Sequence, residues 1–163
     1  MAHLLAGLCG AVRAALADGI APAEIEFALV PDHIVAVHST DHAANETLRA
    51  IDGVVRNNAD IGLTFSASVP LYVHAEQELF ALKTVANDPE TRISRQSDFG
   101  RLADATLGLL LVNGECYTAW NARKSLVNAG YLDIHYDLGI CAALLKKHKK
   151  SNHAWSHRCE PRY

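Results

Sequence analysis

Apolar positions along the chain fall into two regimes that meet near residue 70. From Asp98 onward the pattern is helical: Phe99, Leu102, Ala103, Thr106, Leu107, Leu110 and Leu111 recur at i, i+3, i+4, i+7, i+8, i+11 and i+12. That spacing marks one face of a long helix, and Asn113-Gly114 stops it. Tyr117 to Asn128 reads as a second helix, ended by Ala129-Gly130. Asp133 is placed to cap a third, on which Ile134, Leu138, Cys141 and Leu145 share one stripe. Helix, tight turn, helix, tight turn, helix is the grammar of an antiparallel α-hairpin array.

The first 70 residues are less regular. Ala2 to Asp18 predicts an amphipathic helix, closed by Asp18-Gly19 and then Pro22. Glu24 to Val30 alternates polar and apolar positions as a short strand does, and Ile34 to Val37 reads as another. Ala44, Leu48, Ile51 and Val55 predict a helix over 43–56, with Asp41 as its cap. Asn57-Asn58 and Thr64 to Pro70 carry no pattern; a helix follows from Leu71 to Val85, halted by Asn87-Asp88-Pro89, and Glu90 to Ser97 reads as a loop. The fold class expected is mainly all-α: a helical-hairpin solenoid of the alpha-alpha superhelix type over residues 71–163, after an irregular region 1–70 with room for short strands.

Composition supports an ordinary folded chain. Of 163 residues half are hydrophobic and a fifth charged, enough to bury a real core. The formal net charge of −3 hides an asymmetry. Lys146 to Tyr163 holds six Lys or Arg against one acid, Glu160, whereas the preceding residues hold nine bases against seventeen acids. A basic end favours an anionic ligand or partner there, or simply complements a helix C-terminus. Nucleic acid is not an expected partner, because no aromatic-interleaved basic surface accompanies the lysines. The four cysteines are scattered without a Cys-x-x-Cys pair, so reduced thiols and a cytoplasmic location are expected. No apolar run reaches the roughly 18 residues of a membrane span. His38 and His42 are four apart, but the turn-like Ser39-Thr40-Asp41 between them and the missing further ligands argue against zinc, so no metal is expected in this chain.

An internal repeat sharpens the picture. Setting Trp120 on Trp155 gives an offset of 35 that also places Ala119 on Ala154, Arg123 on Arg158 and Leu109-Leu110 on Leu144-Leu145. A fixed period of this length marks a helical solenoid. A Trp near a helix start buries a large aromatic area between hairpins. An Arg three residues later shares its side of the helix and can bind carbonyls or a phosphate. On spacing alone the favoured reading is a generic tetratricopeptide-like scaffold whose aromatics only pack.

The residues themselves go further. Cys116-Tyr117-Thr118-Ala119-Trp120-Asn121-Ala122-Arg123-Lys124 resembles the Asn-Tyr-x-x-Trp-x-x-Arg-Arg repeat of protein farnesyl- and geranylgeranyltransferase alpha subunits. Lys150-Ser151-Asn152-His153-Ala154-Trp155-Ser156-His157-Arg158 is similar to the repeat that follows it, and the resemblance runs from Leu71 to Arg158. It implies a crescent of helical hairpins wrapped on a beta subunit that holds the catalytic zinc and most of the isoprenoid pocket. It also implies that Lys150 sits where the family carries a diphosphate-facing lysine. Tyr117, Trp120, Arg123, Trp155 and Arg158 are then repeat architecture, and His153 and His157 are expected at the subunit interface.

Three departures stand out: Cys116 for the first Asn, Lys124 for the second Arg, and Asn152 where the family has a Tyr beside the lysine. After Arg158 the repeat breaks off, with Pro161 stopping the helix. An array incomplete at its C-terminus is therefore expected. The function expected is that of an alpha subunit, or part of one, of a heterodimeric protein prenyltransferase. It would have no catalytic residue or cofactor of its own, and its partners would be a beta subunit, an isoprenoid diphosphate and a client protein with an acceptor cysteine. A non-enzymatic helical-repeat adaptor is the alternative.

Overall fold

The computed structural model describes residues 2–32, 53–82 and 96–159. Helix α1 (Ala2–Ala17) turns Leu4, Leu5, Leu8, Cys9, Val12 and Ala15 inward. A 3-10 turn at Pro22–Glu24 follows, and the expected strand is shortened to β1 (Glu26–Val30). Pro22, two residues before the alternating segment, fixes its φ in the helical range and opens the 3-10 turn that takes in Glu24, so the strand begins only after it. Strand β2 (Val54–Asn57) and strand β3 (Asp60–Thr64) form a hairpin, and β1 joins the other side of β3 in parallel, giving the order β1-β3-β2.

This sheet corrects part of the sequence reading. Residues 54–56 were expected to end a helix, yet Val54 and Val55 pair with Leu63 and Gly62 across an antiparallel ladder. Gly53, at φ +81°, sets the chain direction before the strand, and β-branched residues suit a pleated surface. Of the patternless Asn57-Asn58, Asn57 ends β2 and Asn58 opens the two-residue hairpin turn with Ala59, in the left-handed region at φ 52°. The remainder of the predicted helix, the strand at 34–37 and the His38/His42 pair lie outside the described residues.

Helix α2 (Phe65–Leu82) begins six residues before its expected start at Leu71. The patternless stretch before Leu71 belongs to it from Phe65 onward, with Pro70 at the sixth position of the helix. The helix start is held from elsewhere: an Asp32 carboxylate oxygen accepts hydrogen bonds from the Ser66 amide and hydroxyl. These bonds hold the Asp32 carboxyl below its ordinary range. Ala67, Leu71, Ala75, Leu79 and Leu82 form the buried face, packed on α1 and on helix α3 (Gln96–Val112).

From Ala105 to Leu111 every residue of α3 is buried, which explains why its apolar run exceeds one stripe. Helix α4 (Tyr117–Asn128), helix α5 (Ile134–Lys147) and helix α6 (Asn152–Cys159) complete the array. Asp133 caps α5 as expected, accepting from the Tyr136 amide at 2.7 Å. Gly130, at φ +75°, ends α4, with the amides of Gly130 and Tyr131 bonded back to Val127 and Leu126. The chain is thus mainly helical, two consecutive hairpins beside a three-stranded sheet. One hydrophobic cluster extends from Leu4 on α1 to Ala154 on α6. The sheet side meets the hairpins closely: a Cβ on Gly139 of α5 would lie 2.6 Å from Pro22.

Candidate functional site

The repeat is visible in three dimensions. Helix α3 ends at Val112 and α5 at Lys147, while α4 begins at Tyr117 and α6 at Asn152, each pair 35 residues apart. The indole nitrogen of Trp120 donates to the carbonyl of Gly114 at 2.8 Å, six residues upstream. That of Trp155 donates to Lys149 at 3.1 Å, also six upstream. Each Trp therefore ties its helix start to the preceding turn, and at the buried Trp120 the bond satisfies an indole donor that packing alone would strand.

Between the hairpins lies a buried polar junction. Arg123 on α4 donates from Nε to Asp137 of α5 at 2.8 Å, and from Nη1 to the Ala103 carbonyl and Thr106 hydroxyl of α3, both at 3.3 Å. His157 Nε2 lies 2.9 Å from the other Asp137 oxygen. A carboxylate ion-paired with arginine accepts, so this nitrogen carries the hydrogen. The His157 ring also packs on Trp120, centroids 4.6 Å apart. In low dielectric such a network is strong only when its members pair, and here four helices supply them.

The tip turns of the two hairpins flank an open cleft of about 640 Å³, with Asn113, Gly114 and Glu115 on one side and Lys147 to Asn152 on the other. Its bases divide into two pairs. Lys147 donates to the Leu111 carbonyl at 2.8 Å, and His148 Nε2 bonds the same oxygen at 3.0 Å. Both cap the C-terminal end of α3, where carbonyls are left without helical partners. Burial pushes the Lys147 ammonium below its ordinary value, since desolvation disfavours the charged form. Lys149 and Lys150 remain exposed at the tip of the turn. Neither makes an ion pair among the described residues, so their charge faces solvent and any anion that enters the cleft. The turns touch where Gly114 meets His148: a Cβ there would stand 2.6 Å from the imidazole.

The remaining residues singled out by sequence separate into two environments. Tyr117 is exposed, with its ring 5.3 Å from His153, and His153 Nε2 lies 3.9 Å from Glu115. These form an accessible edge beside the cleft. His157, expected on the same edge, is buried at the Asp137 junction. Its spacing from His153 puts the two on one side of α6, but that side turns inward by His157. Trp120 is 3% exposed and Trp155 49%; Arg123 is buried and Arg158 exposed. The 35-residue pair is equivalent in local structure and opposite in environment.

Sequence reasoning missed Asp137, Thr106 as a hydrogen-bond partner, and Ser151. Asp137 is buried with Ile140, Cys141 and Leu144. The inward face of α5 is thus rotated from the predicted stripe, since Ile134 and Leu138 are only half-buried. Asp137 received no role from sequence. The available signal was its position four residues before Cys141, on the apolar face. Ser151 caps α6 through the Ala154 amide at 3.1 Å and donates to Gly114 at 2.8 Å.

No helix among the described residues is long and apolar enough to cross a membrane, and all four cysteines are free thiols. Over 57 residues the chain is 46% identical to the zebrafish (Danio rerio) protein prenyltransferase alpha subunit repeat-containing protein 1, covering 35% of this chain and 13% of that protein. It is 44% identical over 57 residues to repeat-containing protein 1-B of Xenopus laevis, with the same coverage. The human protein of the first name is 44% identical over 57 residues, which is 35% of this chain and 14% of that protein. The matching stretch thus spans about one seventh or less of each relative. Residues 134–160, a stretch that takes in the α5–α6 hairpin with the exposed lysine turn at its tip, match the family model of the protein prenyltransferase alpha subunit repeat.

Proposed function

We propose that this chain is part of the alpha subunit of a heterodimeric protein prenyltransferase, with Lys150 facing the diphosphate of a farnesyl or geranylgeranyl donor. The observation that carries this reading is the pair of exposed lysines, Lys149 and Lys150, at the open tip of the matched repeat. In the reaction a cysteine thiolate of a client protein forms a bond to the first isoprenoid carbon while the carbon–oxygen bond to diphosphate breaks. Negative charge grows on the departing oxygen. An ammonium aimed at that charge stabilises the transition state without bonding covalently to the substrate. The thiolate-activating zinc belongs, in this reading, to the beta subunit, which binds the accessible edge of Tyr117 and His153. The setting is the cytosol, where the acceptor thiol stays reduced.

Co-expression with a prenyltransferase beta subunit, followed by size-exclusion chromatography and transfer of a labelled isoprenoid, tests the reading. A one-to-one complex that labels a cysteine substrate, slowed by Lys150→Ala, supports it. A folded chain that binds no beta subunit favours the second reading, a non-enzymatic helical-repeat adaptor. Asn152 in place of an aromatic hydroxyl beside the lysine speaks for that alternative.

A further inference from the structure

The repeat gives the outward side chains of α6 counterparts on α4 whose surroundings are known. Trp120 is covered by the His157 ring of α6, centroids 4.6 Å apart. Arg123, three residues on, is buried against Asp137 of α5. The cover on α4 is thus one helical hairpin, which brings a ring to the Trp and a carboxylate to the Arg. Trp155 and Arg158 repeat that pair on one side of α6, and both are exposed. The Trp155 indole is already held, by the same bond to a carbonyl six residues upstream that holds Trp120. A fixed, exposed Trp beside an Arg is the composition of an interface anchor, with little ordering left to cost affinity.

We propose that Trp155 and Arg158 form a docking face for an α-helical hairpin of a partner protein, one that brings a carboxylate to Arg158 and a ring to Trp155. The contact has its template inside the chain: α4 under the α5–α6 hairpin, and the face on α6 continues that stack by one repeat. On the template hairpin the carboxylate precedes the ring by 20 residues, so the partner carries an acid on one helix and a ring about two tens of residues later on the next. Charge fits the same occupant. Helix α6 contains no acid, Lys149, Lys150 and Arg158 are exposed, and Arg158 has no ion pair among the described residues. The arginine fork matches a carboxylate in both its donors. A second copy of this chain does not fit, since its Asp137 is buried between its own Arg123 and His157.

A tethered copy of the chain's own hairpin probes the face. A second copy of Ser125 to Cys159, placed directly after Cys159, keeps the 35-residue register. Trp155→Ala within that copy leaves Trp120 and the original Trp155 as the two fluorophores. Acrylamide should reach one of these two tryptophans in the wild-type chain and neither in the extended chain. Arg158→Met should lower the urea midpoint of the extended chain and leave that of the wild type unchanged. Asp137→Asn within the appended copy should lower it too, and should add nothing once Arg158→Met is present. Circular dichroism reads whether the appended copy is helical. A copy that stays unfolded overturns the proposal. So does a helical copy that leaves Trp155 open to the quencher, or an extended chain indifferent to Arg158→Met.

Discussion

Arg123 and Asp137 join the two hairpins through an ion pair of 2.8 Å with both side chains out of reach of solvent. Removing one partner strands the other charge, which costs about 3–5 kcal/mol in a buried setting. Asp137→Ala is therefore expected to lower the unfolding free energy by about that amount, measured by urea denaturation. Asp137→Ala combined with Arg123→Met should cost less than the two single changes added together, because the pair acts as a unit.

The two tryptophans make the same hydrogen bond in different surroundings, so their truncations should diverge. Trp120→Ala removes a buried ring that packs on His157, at a cost of about 3–5 kcal/mol. Trp155→Ala removes a half-exposed ring and should cost about 1 kcal/mol, the hydrogen bond to Lys149 included. Equal losses from thermal or chemical unfolding would show that the second repeat is buried as the first is.

Ser151 links cap and turn, so its loss has two parts. Ser151→Ala deletes the acceptor of the Ala154 amide and the donor to Gly114, for an expected destabilisation of about 1–2 kcal/mol. Amide exchange should accelerate first at the start of α6, with α1 and α2 unaffected.

Stability should decline in alkali. Burial pushes the Cys9 thiol well above its ordinary value near 9.0, and burial likewise raises Tyr136 above 10.0. Above pH 9 the unfolded chain therefore releases protons that the folded chain keeps. The unfolded state then binds fewer protons, and stability falls with rising pH at up to about 1.4 kcal/mol per pH unit for each such group. Lys147 acts in the opposite sense: its folded value is depressed below 10.5, so its contribution grows as pH approaches that value. Unfolding midpoints between pH 8 and 10 should drop, and Cys9→Ala should flatten the decline.

How much of this was legible in sequence depended on whether a residue's role was local. The helices α4 and α5 start where Tyr117 and the Asp133 cap place them, and the 35-residue offset reappears in helix ends and indole bonds. Val54 and Val55 misled because helical spacing over a short run is compatible with a strand, and β3, the partner that decides, lies beyond the turn. The start of α2 was not legible because its capping carboxylate comes from Asp32, 34 residues away in sequence from Ser66. The lysine turn was visible as composition. That Lys147 and His148 serve α3 while Lys149 and Lys150 face solvent was not, because it depends on the position of the Leu111 carbonyl.

A carbonyl oxygen has two lone pairs, and both of those on Gly114 are engaged: one by Trp120 from its own hairpin, one by Ser151 from the next. A single peptide plane thus works as a shared hinge pin. Rotating it would release both turns together, so the first hairpin cannot reorient its tip while the lysines on the second stay in place.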